Sequence, residues 1–202
     1  MNPMELKREI LLFSQQLFME KGYRKVTYKQ IADMVGISKS LLQYYFPKKN
    51  ELLKELMNQN FNKWIKTIPT TDLYTKLATF LLMFFDFISE NKQIRKFMIE
   101  IIDNNELFNS FMSFFSDWLE NKEFTQQVND KFKAALLFSF SGGLQLFRFK
   151  DNYKMPIKQI TRVIMMTLLK LIGMSNRAIN EILAVADSYY AKLKISGWQL
   201  IR

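Results

Sequence analysis

Apolar residues recur along this chain at helical spacing and almost nowhere alternate as they would in a strand. Leu6, Ile10, Phe13, Leu17 and Phe18 form one stripe over about Pro3 to Lys21, and Gly22 stops it. Thr27 to Lys49 then reads as two short helices crossing at a sharp turn. Thr27 and Gln30 fit a capping box, in which the hydroxyl accepts from a free amide of the starting helix and the Gln side chain reaches back to the cap amide. Ile31, Ala32 and Val35 share a face, with Ala32 small where a second helix must pass. Gly36 supplies the permissive backbone of the turn, Ile37 anchors it, and Ser38 caps the next helix. Leu41, Leu42, Tyr45 and Phe46 continue the apolar side. Ser38, Lys39, Ser40, Gln43 and Tyr44 are left facing outward, a short, polar and cationic surface that suits the major groove of DNA.

Seven longer helices are predicted after this pair. The fourth spans about Lys49 to Lys66 and stops before Pro69; the fifth opens at Thr70-Thr71-Asp72 and runs to about Glu90. Asn91 starts a sixth, to about Asp103, and Asn104-Asn105 leads into a seventh carrying Phe111, Phe114, Phe115, Trp118 and Leu119. An eighth fits about Phe124 to Phe149, a ninth runs from near Pro156 to Gly173, and a tenth spans about Ser175 to Lys194. The expected fold is all-α. Residues 1–48 form a three-helix DNA-binding domain with a helix-turn-helix, and residues 49–202 a helical bundle, the helix at about 49–66 connecting the two.

Composition narrows the chemistry. The 202 residues include no Cys and no His, which removes disulfides, sulfur-based zinc sites, the common catalytic triads and most transition-metal sites. Neither an enzyme nor a bound cofactor or metal is expected. No secretory signal is visible, and the most apolar run, Leu77 to Phe85, is well short of the ~20 residues that span a bilayer, so a cytoplasmic protein without a membrane partner is the expectation. The formal charge of +10 is unevenly spread: residues 1 to 50 carry nine bases against four acids. A quarter of the chain thus holds half the excess, as phosphate binding would require.

These N-terminal residues resemble the DNA-binding module of TetR-type transcriptional repressors. The resemblance rests on Leu17-Phe18, Glu20, Gly22-Tyr23, Val26-Thr27, Ile31-Ala32, Val35-Gly36-Ile37-Ser38, Leu42, Tyr44, Phe46, Lys49 and Leu52-Leu53. It is strong over the first third of the chain and architectural beyond. It implies a homodimeric repressor that grips a palindromic operator with two N-terminal modules and releases it when a small molecule binds the C-terminal domain. Thr27, Tyr45 and Lys49 match positions that touch the phosphate backbone, and Lys39 and Ser40 positions that meet bases. Gln43 departs from the usual Tyr, leaving phosphate or an adenine edge as its partner. Lys48 departs from the usual cap. Two lysines at a helix start oppose the macrodipole, which either a bound phosphate or solvation would relieve.

The rest of the chain offers a choice between plain core and a ligand cavity. Phe84, Phe87, Met98, Phe111, Phe115 and Phe138 belong to a Phe- and Met-rich stripe that fits either. Asp86 and Glu100, each flanked by apolar residues, would either select a cationic ligand or face water. Gln145 is a polar handle near Gly142-Gly143, a pair that costs helix stability and so points to a close-packed helix or ligand. The effector would be apolar or amphipathic. In TetR-type proteins the last long helices pair between subunits, which implies a homodimer through about 156–194. The rival reading is a DNA-bound structural or partner-recruiting protein with no small-molecule ligand.

Overall fold

Short polar side chains open most of the helices in a computed structural model of the chain, which describes residues 2–120 and 129–196. Helix α1 (Pro3–Lys21) starts on Asn2, whose side chain accepts from the Met4 and Glu5 amides. Helix α2 (Tyr28–Val35) starts on Thr27 and α3 (Lys39–Tyr45) on Ser38. Helix α4 (Lys49–Thr67) begins at Lys48, a residue with no acceptor to offer its own helix. Asp72 caps α5 (Leu73–Glu90), Asn91 caps α6 (Lys92–Ile102), and Asn104 accepts from the Leu107 amide at the start of α7 (Asn105–Glu120). Asn129 caps α8 (Asp130–Arg148), Pro156 precedes α9 (Ile157–Leu171), and Ser175 accepts from Ala178 ahead of α10 (Asn176–Ser196).

All ten expected helices are present, and no strand occurs among the described residues. Among the described residues the eighth begins at Asp130, where the Asn129 side chain accepts from the Phe132 amide. The expected start at Phe124 lies outside the described residues.

Helices α1 to α3 pack as one unit. The remaining helices surround α5, which contacts α4, α6, α9 and α10 and buries nearly every side chain along its length. Its centre is aromatic: Phe80, Phe84 and Phe85 meet Phe61, Phe111, Phe115, Phe140 and Phe147 with ring centroids 5.0 to 6.3 Å apart. One close approach has a steric cause. A Cβ on Gly143 of α8 would lie 2.2 Å from Cδ1 of Ile164 on α9, whereas one on Gly142 would meet nothing within 4 Å. The sequence pair thus contains one packing glycine, and its partner is a helix.

Candidate nucleic-acid interface and its connection to the bundle

The α2–α3 pair is built by local bonds. The Thr27 amide donates to Gln30 Oε1 at 2.9 Å and the Gln30 amide returns to Thr27 Oγ1 at 3.3 Å. Helix α2 ends where Gly36 adopts φ 75° and ψ 31°, a left-handed conformation that costs glycine little. The Ile37 amide then reaches back to the Ala32 carbonyl oxygen at 3.0 Å, closing the turn. Ser38 Oγ accepts from Leu41 at 3.1 Å. Ile31, Ala32 and Leu42 are buried beneath, and Phe46 closes the floor, its carbonyl oxygen accepting from the Tyr28 hydroxyl at 2.6 Å.

Four of the side chains expected to read DNA stand clear on α3. Lys39, Ser40 and Gln43 are exposed, and Tyr44 is 80% exposed. Tyr45 is half-buried, its ring edge-on to Tyr44 at 5.5 Å, and Thr27 and Lys48 are exposed at the ends of the unit. Lys49 differs. Its ammonium donates to the carbonyl oxygens of Tyr23 (2.8 Å) and Val26 (2.9 Å) and lies 4.2 Å from the centre of the Tyr23 ring. Sequence reasoning leaves this charge to phosphate or to solvent; the fold gives it two backbone oxygens and an aromatic face. Partial burial lowers the Lys49 pKa below its ordinary value, while the nearby Glu100 pulls the other way.

Glu100 is turned to the same place. One carboxylate oxygen accepts from the Tyr23 amide (3.1 Å) and the other from the Arg24 amide (2.9 Å), both in the turn between α1 and α2. Gly22, at φ 84°, leaves room for it: a Cβ there would come 3.1 Å from the same carboxylate. Burial raises the Tyr23 phenol to about 12, with Tyr28, Glu106 and Glu100 adding to the shift.

The proposed ligand residues divide in two. Phe84, Phe87, Met98 and Phe111 line one cavity of about 100 Å³, walled also by Phe18 and Met19 of α1, by α4 and by Phe97 of α6. Gln15 and Asn60 are its polar lining residues, and among the described residues no charged side chain lines it. The other five lie elsewhere. Phe115 stacks on Phe140 at 4.2 Å within the core. Phe138 (69% exposed) and Gln145 sit seven residues apart on the outer side of α8, opposite the buried stripe of Leu136, Phe140, Gly143 and Phe147. Glu100 holds the turn. Asp86 faces α10, where it accepts from Lys194 Nζ at 2.9 and 3.2 Å, while the same ammonium also reaches Glu90 at 2.8 Å. These partners raise the Lys194 pKa.

Among the described residues no three Asp or Glu side chains gather as a metal site, and no helix is long and apolar enough to cross a membrane.

Comparison with known proteins fits this geometry. The family model described as "Bacterial regulatory proteins, tetR family" matches residues 10–56, the segment from mid-α1 into α4. The HTH-type transcriptional activator FasR of Mycolicibacterium smegmatis is 27% identical over 101 residues, which is 48% of this chain and 46% of FasR. The HTH-type transcriptional regulator QacR of Staphylococcus aureus is 36% identical over 61 residues, 30% of this chain and 32% of QacR. The matched region therefore spans less than half the length of either curated relative. Among solved structures, SmeT, the repressor of the Stenotrophomonas maltophilia multidrug efflux pump SmeDEF, superposes with a TM-score of 0.52 at 16% identity over 81% of this chain and 88% of SmeT, a likeness of fold.

Proposed function

We propose that this chain, a TetR-type transcriptional regulator, works as a repressor that binds a palindromic operator as a homodimer and lets go when a small molecule enters its helical bundle. The observation that carries this reading is the outer face of α3. Lys39, Ser40, Gln43 and Tyr44 are exposed together on a helix whose opposite side is fixed by buried Leu42 and whose start is capped by Ser38. Such a rigid, polar and cationic face is what base reading in a major groove demands. Lys39 and Ser40 meet bases, and Gln43 and Tyr44 extend that contact. Thr27, Tyr45 and Lys48 hold phosphates.

The bundle supplies the other half. Val163 and Met166 on α9 and Val185 on α10 are exposed apolar residues, which supports a subunit interface through these helices. The apolar cavity favours a ligand-responsive regulator over a partner-recruiting protein with a filled core. Selection of binding sites from random DNA, followed by footprinting, tests the reading. The expected result is a protected palindrome whose half-sites are about one helical turn, or a small multiple, apart. No protected site at any salt concentration would overturn it.

A further inference from the structure

A polar cleft of about 500 Å³ lies where the DNA-binding unit meets the bundle, and it shares no lining residue with the apolar cavity. Its charges are divided between the two parts. Arg24, in the α1–α2 turn, and Lys48, just before α4, belong to the DNA-binding unit, whereas Glu106 and Ser110 belong to the first turns of α7. The Arg24 side chain is 62% exposed, and its guanidinium reaches only Glu100, through Nε at 3.9 Å. No ion pair among the described residues joins Glu106 to Arg24 or Lys48. Opposite charges thus line one hollow without closing on each other.

We propose that this cleft binds a small zwitterion, an α-amino acid with an apolar side chain, its carboxylate on Arg24 and Lys48 and its ammonium on Glu106. Three observations define the ligand. The first is the divided charge, which a molecule carrying both signs satisfies at once. The second is Asn50, which also lines the cleft and whose buried Oδ1 has no hydrogen-bond partner. That oxygen can only accept, so a turn of the amide toward the hollow offers the ammonium a second acceptor beside Glu106. The third is the apolar part of the lining: Tyr28, Pro47 and Leu107 give a side chain a surface to lie on. The volume falls within the roughly 300 to 1,000 Å³ of small-ligand sites.

Ligands of a single charge fit less well. A simple anion, a DNA phosphate included, gains Arg24 and Lys48 but is repelled by Glu106 and has no proton to give to Asn50. An amine without a carboxylate gains Glu106 and is repelled by the two cations. Lys49 adds nothing for either, since its ammonium is committed to the Tyr23 and Val26 carbonyl oxygens. Because the two walls come from different parts of the chain, a bound zwitterion ties the DNA-binding unit to α7 and stabilises the folded protein by its binding energy.

The test titrates the whole chain calorimetrically with the common L-amino acids and with inorganic phosphate. One or more amino acids with apolar side chains should bind. For the tightest of them, the amine that lacks the carboxylate and the 2-hydroxy acid that lacks the ammonium should each bind about tenfold more weakly or worse. Two variants assign the walls. Glu106→Gln should weaken the amino acid by about tenfold and spare the 2-hydroxy acid, while Arg24→Gln should weaken the amino acid and spare the amine. A merely structural role would not sort the ligands in this way. Both side chains are exposed, so the variants should fold, and a urea midpoint checks that they do. The proposal is overturned if no amino acid binds, if phosphate or the 2-hydroxy acid binds as tightly as the amino acid, or if both variants bind it like the parent. None of these measurements uses DNA. Failure here leaves operator binding standing, and failure to select an operator leaves the site standing.

Discussion

The Lys49 ammonium donates to the Tyr23 carbonyl oxygen at 2.8 Å while lying over the Tyr23 ring, so the first residue of α4 is bonded to the turn that follows α1. A cation at a helix start works against the helix dipole. Here the opposing field is met by two carbonyl oxygens, those of Tyr23 and Val26, which the positive charge satisfies. The residue that looks misplaced in sequence is a tie between α4 and the DNA-binding unit.

Lys49→Met keeps the length of the side chain and removes the tie. The expected loss is about 1.5 to 3 kcal/mol of stability, the usual worth of hydrogen bonds involving a charged group. A urea unfolding midpoint measures it, and an unchanged midpoint would show that the two carbonyl bonds contribute nothing net.

Lys48→Ala should behave in the opposite way. Lys48 is exposed and makes no side-chain cap, so stability should hold. Affinity for DNA should fall by a similar factor for all sequences, and the slope of affinity against salt should drop by about one ion. A variant with unaltered salt dependence would remove Lys48 from the phosphate contacts.

Lys39→Ala should instead act on sequence preference. If its ammonium meets a base edge, the loss is about 1 to 3 kcal/mol at one operator position, with preference relaxed there and kept elsewhere. Competition between operators carrying single base changes reads this directly. Uniform weakening across all of them would assign Lys39 to the backbone.

What could be read from the sequence follows from how far apart bonded partners lie in the chain. The Thr27–Gln30 box, the Gly36 turn and the Ser38 cap join residues three to five positions apart, and their residue types announce them. The exposed face of α3 follows from the same local spacing. Phe138 fits a Phe-rich stripe and Gln145 neighbours Gly142-Gly143, so local pattern points both toward a cavity; the structure turns both outward, since Gly143 and Ile164 fix which side of α8 meets α9. Glu100 meets Tyr23 across 77 positions and Lys194 meets Asp86 across 108. No periodicity encodes such pairings, so a carboxylate between two isoleucines looks the same whether it faces ligand, water or a distant turn.

Alkaline pH should unfold the protein through its tyrosines. Burial raises Tyr23, Tyr28 and Tyr190 from 10.0 to about 12. A phenol raised in the folded state binds its proton more tightly there than in the unfolded chain. Its stabilising contribution is complete below pH 10.0 and is lost as pH climbs toward about 12. Lys49 acts with the opposite sign: its lowered pKa makes stability rise slightly with pH just below 10.5. The groups that bear on Tyr23 are Lys49, Tyr28, Glu100 and Glu106. Tyrosinate absorbance and circular dichroism, followed together, should show late ionisation coinciding with loss of helix. Tyr23→Phe should lessen the alkaline loss of stability. Ionisation of all eight tyrosines near pH 10.0 with the helices intact would contradict the account.

The two neighbouring glycines of α8 give the sharpest stability contrast. Gly142→Ala adds a methyl where nothing lies within 4 Å, and it replaces a poor helix former by a good one, so about 0.5 to 1 kcal/mol of stabilisation is expected. Gly143→Ala puts the same methyl 2.2 Å from Ile164 Cδ1 and 2.3 Å from its Cγ1. Ile164 is fully buried and β-branched, and cannot swing away cheaply; overpacking of this kind costs about 1 to 3 kcal/mol, more than the propensity gain returns. Trimming the neighbour tests the cause. In the Gly143→Ala background, Ile164→Ala should cost less than it does alone, because the new methyl occupies part of the space it vacates. A double-mutant cycle by urea unfolding measures that coupling. Additive effects would mean that α8 and α9 adjust to the methyl elsewhere, and that glycine at 143 is not what sets their spacing.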